Sequence, residues 1–393
     1  MRFVIALRDP IRLIPLLFLG AIIVGTILLS LPFATTAGTR APLLTAVFTS
    51  TSAVAVTGLI VVDTPTYWSG FGQGVILLLF QVGGFGIMTS ATLFGLMAGR
   101  GFGLRDRMAT QVERSRLEKH DAVTALKLIL AITLVVEGVV AAILAARLFG
   151  TYHESLGLAV WHGLFHSVSA FNNAGFSSYS DSVMGFQNDP LILGPLMFAV
   201  ILTALGFPVM QDLRTNGIAW RRWSLHTKIT VAGTAALLAF GFCATLAMEW
   251  HNPETLGPMG WGAKILNAAF HSVMPRTAGF NSVDVGAFHD ETLMTNFFLM
   301  FVGGGSAGTA GGIKVTTFFV LFAIVLSEIL GRQDSGLFQR RFGSEIQRQA
   351  LTVTVLSATL VFAATTYIAS TSSLPLDDIL FECISAFSTV GLS

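Results

Sequence analysis

Apolar residues run through this chain in helix-length stretches, and a shorter amphipathic segment that closes on a glycine recurs among them four times. The pattern predicts outer helices near 13–35, 125–148, 226–248 and 350–371, and second helices near 70–98, 190–212 and 293–328. After each outer helix lies a candidate short helix, near 42–53, 157–170, 261–273 and 376–387. With about 12 residues at roughly 1.5 Å each, a short helix reaches about 18 Å, against a hydrocarbon core of about 30 Å. It cannot span, so it is expected to re-enter.

The short segments run from Val47-Phe48-Thr49-Ser50 to Gly58-Leu59, from Leu164-Phe165-His166-Ser167 to Gly175-Phe176, from Ala269-Phe270-His271-Ser272 to Gly279-Phe280, and from Leu380-Phe381-Glu382-Cys383 to Gly391-Leu392. Phe and Gly are ten residues apart in three of them and nine in the third. The glycines are separated by 117, 104 and 112 residues, too far for a solenoid repeat and far enough for two membrane spans. The expected units are 13–98, 125–212, 226–328 and 350–393. Because the chain ends at Ser393, within the fourth glycine segment, the fourth unit is expected to lack its second helix.

Non-helical backbone at membrane depth is tolerated only where protein buries it or water lines it. Turning successive carbonyls toward an ion needs dihedrals that glycine adopts without strain. Val56-Thr57-Gly58, Asn173-Ala174-Gly175, Thr277-Ala278-Gly279 and Thr389-Val390-Gly391 are therefore expected to supply the carbonyl rings of one pore. The negative dipole end of each short helix favours a cation there. A single glycine reads equally well as a helix cap. Four at matched positions favour the ring.

Composition fixes the solvent: 53% hydrophobic and 11% charged residues, with a mean hydropathy of +0.72, belong in a bilayer. The net charge of +1 matters less than its segregation, since 18 of the 23 Lys and Arg fall in four groups. These are Arg2 to Arg12, Arg100 to Lys127, Arg214 to Lys228 and Arg332 to Arg348, alternating with connections richer in acid. The positive-inside rule then makes the basic groups and the N-terminus cytoplasmic, and opens the glycine segments outward. Residues 13–33 are long enough to span, and Leu31-Pro32-Phe33 lacks a small-x-small pattern, so no signal peptide is expected. Cys243 and Cys383 have no CxxC spacing and suggest neither a disulfide framework nor a metal site.

A second motif interrupts the apolar run from 293 to 328: Gly303-Gly304-Gly305-Ser306-Ala307-Gly308-Thr309-Ala310-Gly311-Gly312-Ile313-Lys314. Its six glycines hold a helix poorly, so the second helix should break there. A helix-packing face of small residues is the competing reading. A phosphate-binding loop would need Gly-Lys-Ser/Thr, which Gly312-Ile313-Lys314-Val315 does not supply. Lys314 either places a positive barrier near the pore or snorkels from the cytoplasmic end.

His162 and His166 have zincin spacing, but Gly163 stands where the general-base glutamate belongs. Alignment of the four segments instead puts Thr49, His166, His271 and Glu382 in one slot, as polar groups hydrogen-bonded behind the loops. Glu137 inside an outer helix reads as a buried pairing residue ahead of an ion or proton site. The connection from Arg100 to Lys119 reads as a solvated or lipid-headgroup face, or as a docking surface.

With these residues in view, above all Thr49 to Leu59, Gln81-Val82-Gly83-Gly84-Phe85-Gly86, Pro275 to Asn281, Gly303 to Lys314 and Ser388 to Ser393, the chain resembles the pore subunits of the Trk/Ktr/HKT potassium-transporter superfamily, in its bacterial KtrB branch. The resemblance implies an all-α polytopic membrane protein with four M1-P-M2 potassium-channel-like repeats around one central pore, the fourth incomplete. It puts the selectivity-filter glycines at Gly58, Gly175, Gly279 and Gly391, and an intramembrane gating loop at 303–314. It further implies a homodimer in the lipid bilayer of the cytoplasmic (inner) membrane, controlled by a cytosolic nucleotide-binding ring of the KtrA/TrkA type. Potassium is the expected ion and sodium a candidate activator, with no covalent cofactor, nucleic acid or enzymatic activity. A gated uniporter leads, ahead of a symporter coupling potassium to sodium or protons, with an intramembrane enzyme a distant third.

Overall fold

The computed structural model describes residues 10–98, 111–331, 336–338 and 340–393. The basic connection from Arg100 to Lys119 lies outside the described residues up to 110, and beyond that only its helical backbone is described. Arg2 and Arg8 also lie outside them.

Long helix, short helix, long helix is the order that recurs. The first unit holds α1 (Pro10–Leu29), α2 (Leu43–Val54) and α3 (Gly70–Ala98). The second holds α4 (Gln111–Thr151), α5 (Leu156–Asn172) and the pair α6 (Pro190–Leu205) and α7 (Phe207–Asn216). The third holds α8 (Leu225–Glu249), α9 (Trp261–Val273) and the pair α10 (Asp290–Phe301) and α11 (Val315–Ile329). The fourth contributes α12 (Ser344–Thr371) and α13 (Leu376–Phe387). A two-residue hairpin of β1 (Gly336–Leu337) and β2 (Arg340–Arg341) joins α11 to α12. Among the described residues four helices are long and apolar enough to cross a membrane, and the α6–α7 pair passes the same test of length and composition only if its two bent halves are counted as one span. The chain is thus an all-α polytopic membrane protein.

Several boundaries differ from the sequence expectation. The outer helix expected at 125–148 begins at Gln111, because Glu, Arg, Lys and Leu continue helical propensity upstream of the apolar run. The short helix expected at 157–170 is α5, with 17 residues; Ser155 caps its start by accepting from the Leu158 amide, and Asn173 ends it in the left-handed region. The second helix expected near 190–212 turns by 93° between α6 and α7. Gly206 sits at that corner with φ +86° and ψ 153°, and Pro208 starts the next helix.

Each second helix packs on the short helix of the following unit. Phe80 of α3 meets Phe165 of α5 edge-on at 5.6 Å, and Phe297 of α10 meets Phe381 of α13 at 5.8 Å. Leu193 and Leu196 of α6 share a core with Phe270 of α9. This rotary packing brings the four glycine segments to a common centre.

Candidate ion pathway

All four loop glycines occupy the left-handed region, at φ +84° for Gly58, +71° for Gly175, +63° for Gly279 and +89° for Gly391. Two residues earlier Val56, Asn173 and Thr389 are left-handed as well. The third loop, one residue shorter, differs: Thr277 is extended at φ −172°. A Cβ built on Gly58 would collide with the Ala174 carbonyl oxygen, one on Gly175 with that of Ala278, one on Gly279 with that of Val390, and one on Gly391 with that of Thr57. The contacts run from unit one to two, three, four and back to one, so the ring is closed. The four glycines share the wall of one vestibule of about 170 Å³ with Asp63 and Asp181.

Buried serines hold the loops at matching positions. Ser52, Ser169 and Ser385 donate to the carbonyls of Leu59, Phe176 and Leu392 at 2.7, 2.8 and 2.6 Å. Met274 takes this slot in the third loop, where its own carbonyl accepts from the amides of Thr277, Ala278 and Gly279. That tighter turn accounts for the missing residue. Ser50, Ser167 and Ser272 tie their short helices to the outer-helix carbonyls of Ile22, Glu137 and Leu238. The fourth slot is the buried Cys383.

The slot behind the loops is polar as expected. His166 donates from Nδ1 to the His162 carbonyl at 2.8 Å and pairs through Nε2 with Ser177 Oγ at 3.0 Å. His271 Nε2 donates to Asn296 Oδ1 at 2.9 Å, and Glu382 accepts from Ser393 Oγ. Thr49 is buried. His162 is bound to Ser178 Oγ at 2.6 Å, and both histidines stack on Tyr179. Glu137 accepts from Gln81 Nε2 at 3.3 Å and Asn172 Nδ2 at 3.4 Å, while Asn172 also donates to Gln81 Oε1 at 2.6 Å. Glu137 is therefore a pairing residue that joins α3, α4 and α5. Gly83 and Gly84 let α3 approach closely, since a Cβ would strike the Val54 carbonyl or the Asn172 amide.

Residues 303–314 are not helical, so the packing-face reading fails. A neck and a tip can be distinguished. At the neck Val302 bridges Ile313; Gly303 donates to the Ile313 carbonyl at 3.0 Å, Ile313 to Phe301 at 3.0 Å, and Val315 to Gly304 at 2.9 Å. Arg276, 3% exposed, donates to the Gly303 carbonyl at 2.8 Å. Beyond the neck, Gly305 donates to the Ala204 carbonyl at 2.6 Å, and the Phe207 amide donates to Ala307 at 3.4 Å. Gly304 and Gly308 press on the backbone of α6, and Ser306 on Gly206. Thr309 Oγ1 accepts from Asn173 Nδ2 at 2.6 Å. Gly311 lies where a Cβ would meet the Ser388 carbonyl and Thr389 Oγ1, and Gly312 turns the chain back at φ +64°. Lys314 neither snorkels nor stands free: its Nζ returns to the Ala310 carbonyl at 2.5 Å. The loop thus reaches the second and fourth glycine segments from the third unit.

Three participants escaped the sequence reading as site residues: Gly206, Arg276, and the side chain of Asn173. Only the first had a local signal, in Gly206-Phe207-Pro208.

A family model described as TrkH, cation transport protein, matches residues 21–393. The chain is 39% identical over 386 residues to the Ktr system potassium uptake protein B of Bacillus subtilis (strain 168), covering 98% of this chain and 85% of that protein. It is 33% identical over 390 residues to the potassium/sodium uptake protein NtpJ of Enterococcus hirae, covering 98% and 85%. The crystal structure of the potassium transporter TrkH from Vibrio parahaemolyticus matches with a TM-score of 0.67 at 16% sequence identity, over 95% of this chain and 82% of that one, and shares its fold. The chain belongs to the TrkH family of cation transport proteins.

Proposed function

We propose that this protein takes up potassium across the cytoplasmic membrane through a gated, channel-like pore. One observation carries the reading: four left-handed glycines, each fitted against the carbonyl of the next unit, close a ring at a common vestibule. Carbonyl dipoles so arranged replace the hydration shell of a cation. The names of the Bacillus subtilis and Enterococcus hirae relatives support potassium as that cation.

Val56 to Gly58, Asn173 to Gly175, Thr277 to Gly279 and Thr389 to Gly391 form the filter in this reading, and Gly303 to Lys314 the gate beneath it. Contact of Gly311 with Ser388 and Thr389 supports that placement. The N-terminus is cytoplasmic, two copies pair, and a cytosolic nucleotide-binding ring sets the state of the gate, with sodium as an activator. Purified protein in liposomes tests the reading. Flux that follows the potassium gradient alone, is faster with sodium present and does not carry sodium is the expected result; stoichiometric co-movement of sodium or protons refutes uniport.

A further inference from the structure

The loop between α7 and α8 is a surface patch that does not line the vestibule of the glycine ring. Its residues 217–223 are held from within: Trp223 Nε1 donates to the Gly217 carbonyl at 2.8 Å, and Asp212 accepts from the Ser224 amide at 2.9 Å, Thr227 Oγ1 at 2.6 Å and Asn216 Nδ2 at 2.6 Å. Asp212 is the one carboxylate between 207 and 228, and those three donors occupy it. Arg214, Arg221 and Arg222 are exposed, and among the described residues no acidic side chain pairs with Arg221 or Arg222. Beside them Ile218 is 94% exposed and Trp220 40% exposed. Trp220 packs at a tilt against Trp223 at 5.1 Å and edge-on against Phe338, in the turn of the β1–β2 hairpin, at 5.8 Å.

Exposed apolar and aromatic side chains beside exposed arginines, at the ends of membrane helices, match the boundary between acyl chains and headgroups. We propose that Trp220, Arg221 and Arg222 form a binding site for an anionic phospholipid of the leaflet on the arginine-rich side. The partner chemistry follows from charge: two guanidinium groups with which no carboxylate pairs among the described residues select a phosphodiester with net negative charge over a zwitterionic headgroup.

The site has a mechanical address. Helix α7 leads from it directly back to Gly206 and Phe207, which touch Ser306 and Ala307 of the 303–314 loop. Helix α11 leads from the same loop to the hairpin that carries Phe338. The Trp220–Phe338 contact therefore joins the far ends of both arms that leave the loop. Lipid bound there braces the two arms against each other, and this second step rests on the gating role proposed above.

The binding step is tested without flux. The full chain in detergent micelles is titrated with brominated phosphatidylglycerol or brominated phosphatidylcholine, and quenching of tryptophan emission is followed. Phosphatidylglycerol is expected to quench at the lower mole fraction, and Arg221→Gln with Arg222→Gln to weaken it by about 25-fold, roughly fivefold per arginine. Trp220→Phe, which removes an indole of the site itself, should reduce the amplitude. Equal midpoints for the two lipids, or a midpoint unmoved by the double substitution in a protein of unchanged thermal stability, overturns the site. Flux is then compared in vesicles of phosphatidylcholine alone and of equal parts phosphatidylcholine and phosphatidylglycerol. A lipid-dependent flux that the double variant abolishes is expected. Intact quenching with potassium flux indifferent to lipid overturns the link to the loop, whereas intact quenching with no potassium flux in either vesicle refutes the transport reading instead.

Discussion

Replacing Gly58 by alanine separates a filter from a set of helix caps. At φ +84° an L-residue costs about 1–2 kcal/mol. The new Cβ would also overlap the Ala174 carbonyl oxygen and come to 3.2 Å from the Gly175 Cα, so the neighbouring loop has to move. A carbonyl turned away from a bound cation forfeits an interaction of about 1.5–3 kcal/mol, which lowers potassium affinity roughly 10- to 100-fold. Gly74→Ala is the matched control, because its Cβ on α3 meets nothing within 4 Å. That substitution should add up to about 1 kcal/mol of helix stability and leave selectivity alone. The ring makes a finer prediction as well. Gly391 presses on Thr57 and Gly58, so Gly391→Ala and Gly58→Ala should couple by about 0.5 kcal/mol or more, while Gly74→Ala, whose Cβ meets nothing within 4 Å, should add to either. The assay is potassium flux in liposomes with sodium competition, alongside thermal unfolding in detergent. A folded Gly58→Ala protein that keeps the wild-type potassium preference would refute the assignment.

Three further substitutions probe the supports. Glu137→Ala strips Gln81 and Asn172 of a buried acceptor and should destabilise the protein by about 1–3 kcal/mol in detergent unfolding; an unchanged midpoint would contradict the pairing role. Asp189→Ala removes the acceptor of Arg147 at 2.7 Å and Tyr152 at 3.1 Å together with the cap of α6, and a loss of similar size, about 1–3 kcal/mol, is expected by the same measurement. Thr309→Val breaks the bond from Asn173 while keeping the loop's length, and should raise potassium flux; deleting Ser306 to Ala310 should raise it further and abolish the control proposed for a nucleotide-binding partner. Low, still-controlled flux through a stable deletion protein would show that the loop is not a gate.

What could be read from residues alone was local. The four glycine segments and the break at 303–314 are written in short-range terms: the length of an apolar run, a glycine after it, a cluster of glycines inside it. The bend at Gly206 was masked because apolar residues continue on both sides, so the hydrophobic signal outweighed Gly206 and Pro208. Asn173 was legible as a loop residue but not as a donor to Thr309, a contact across 136 positions that only the packed units create. The same holds for Glu137: burial and a polar partner were expectable, yet Gln81 and Asn172 come from two other helices. Thr277 shows the limit of repeat alignment, since one missing residue changes its backbone region while Gly279 keeps its own.

Four loops close symmetrically, but the element beneath them comes from one unit, and that asymmetry bears on how the pore could be controlled. The 303–314 loop is fixed at its neck by three backbone bonds and by Arg276, whereas its tip is tied to the second unit by three others: Gly305 to Ala204, Phe207 to Ala307, and Asn173 to Thr309. At a net 0.5–1.5 kcal/mol each, releasing the tip from the second unit costs about 1.5–4.5 kcal/mol. That is roughly a 10- to 2,000-fold bias toward the seated loop, and it overlaps the 1–3 kcal/mol typical of coupling between sites. A bound partner can therefore lift the tip without unfolding a helix, provided that it binds the lifted state more tightly by that amount. Two of the three tip bonds end on Ala204 and Phe207, either side of Gly206, so whatever straightens or tilts α7 acts on the tip directly. The bend in the second unit and the break in the third are then two halves of one latch.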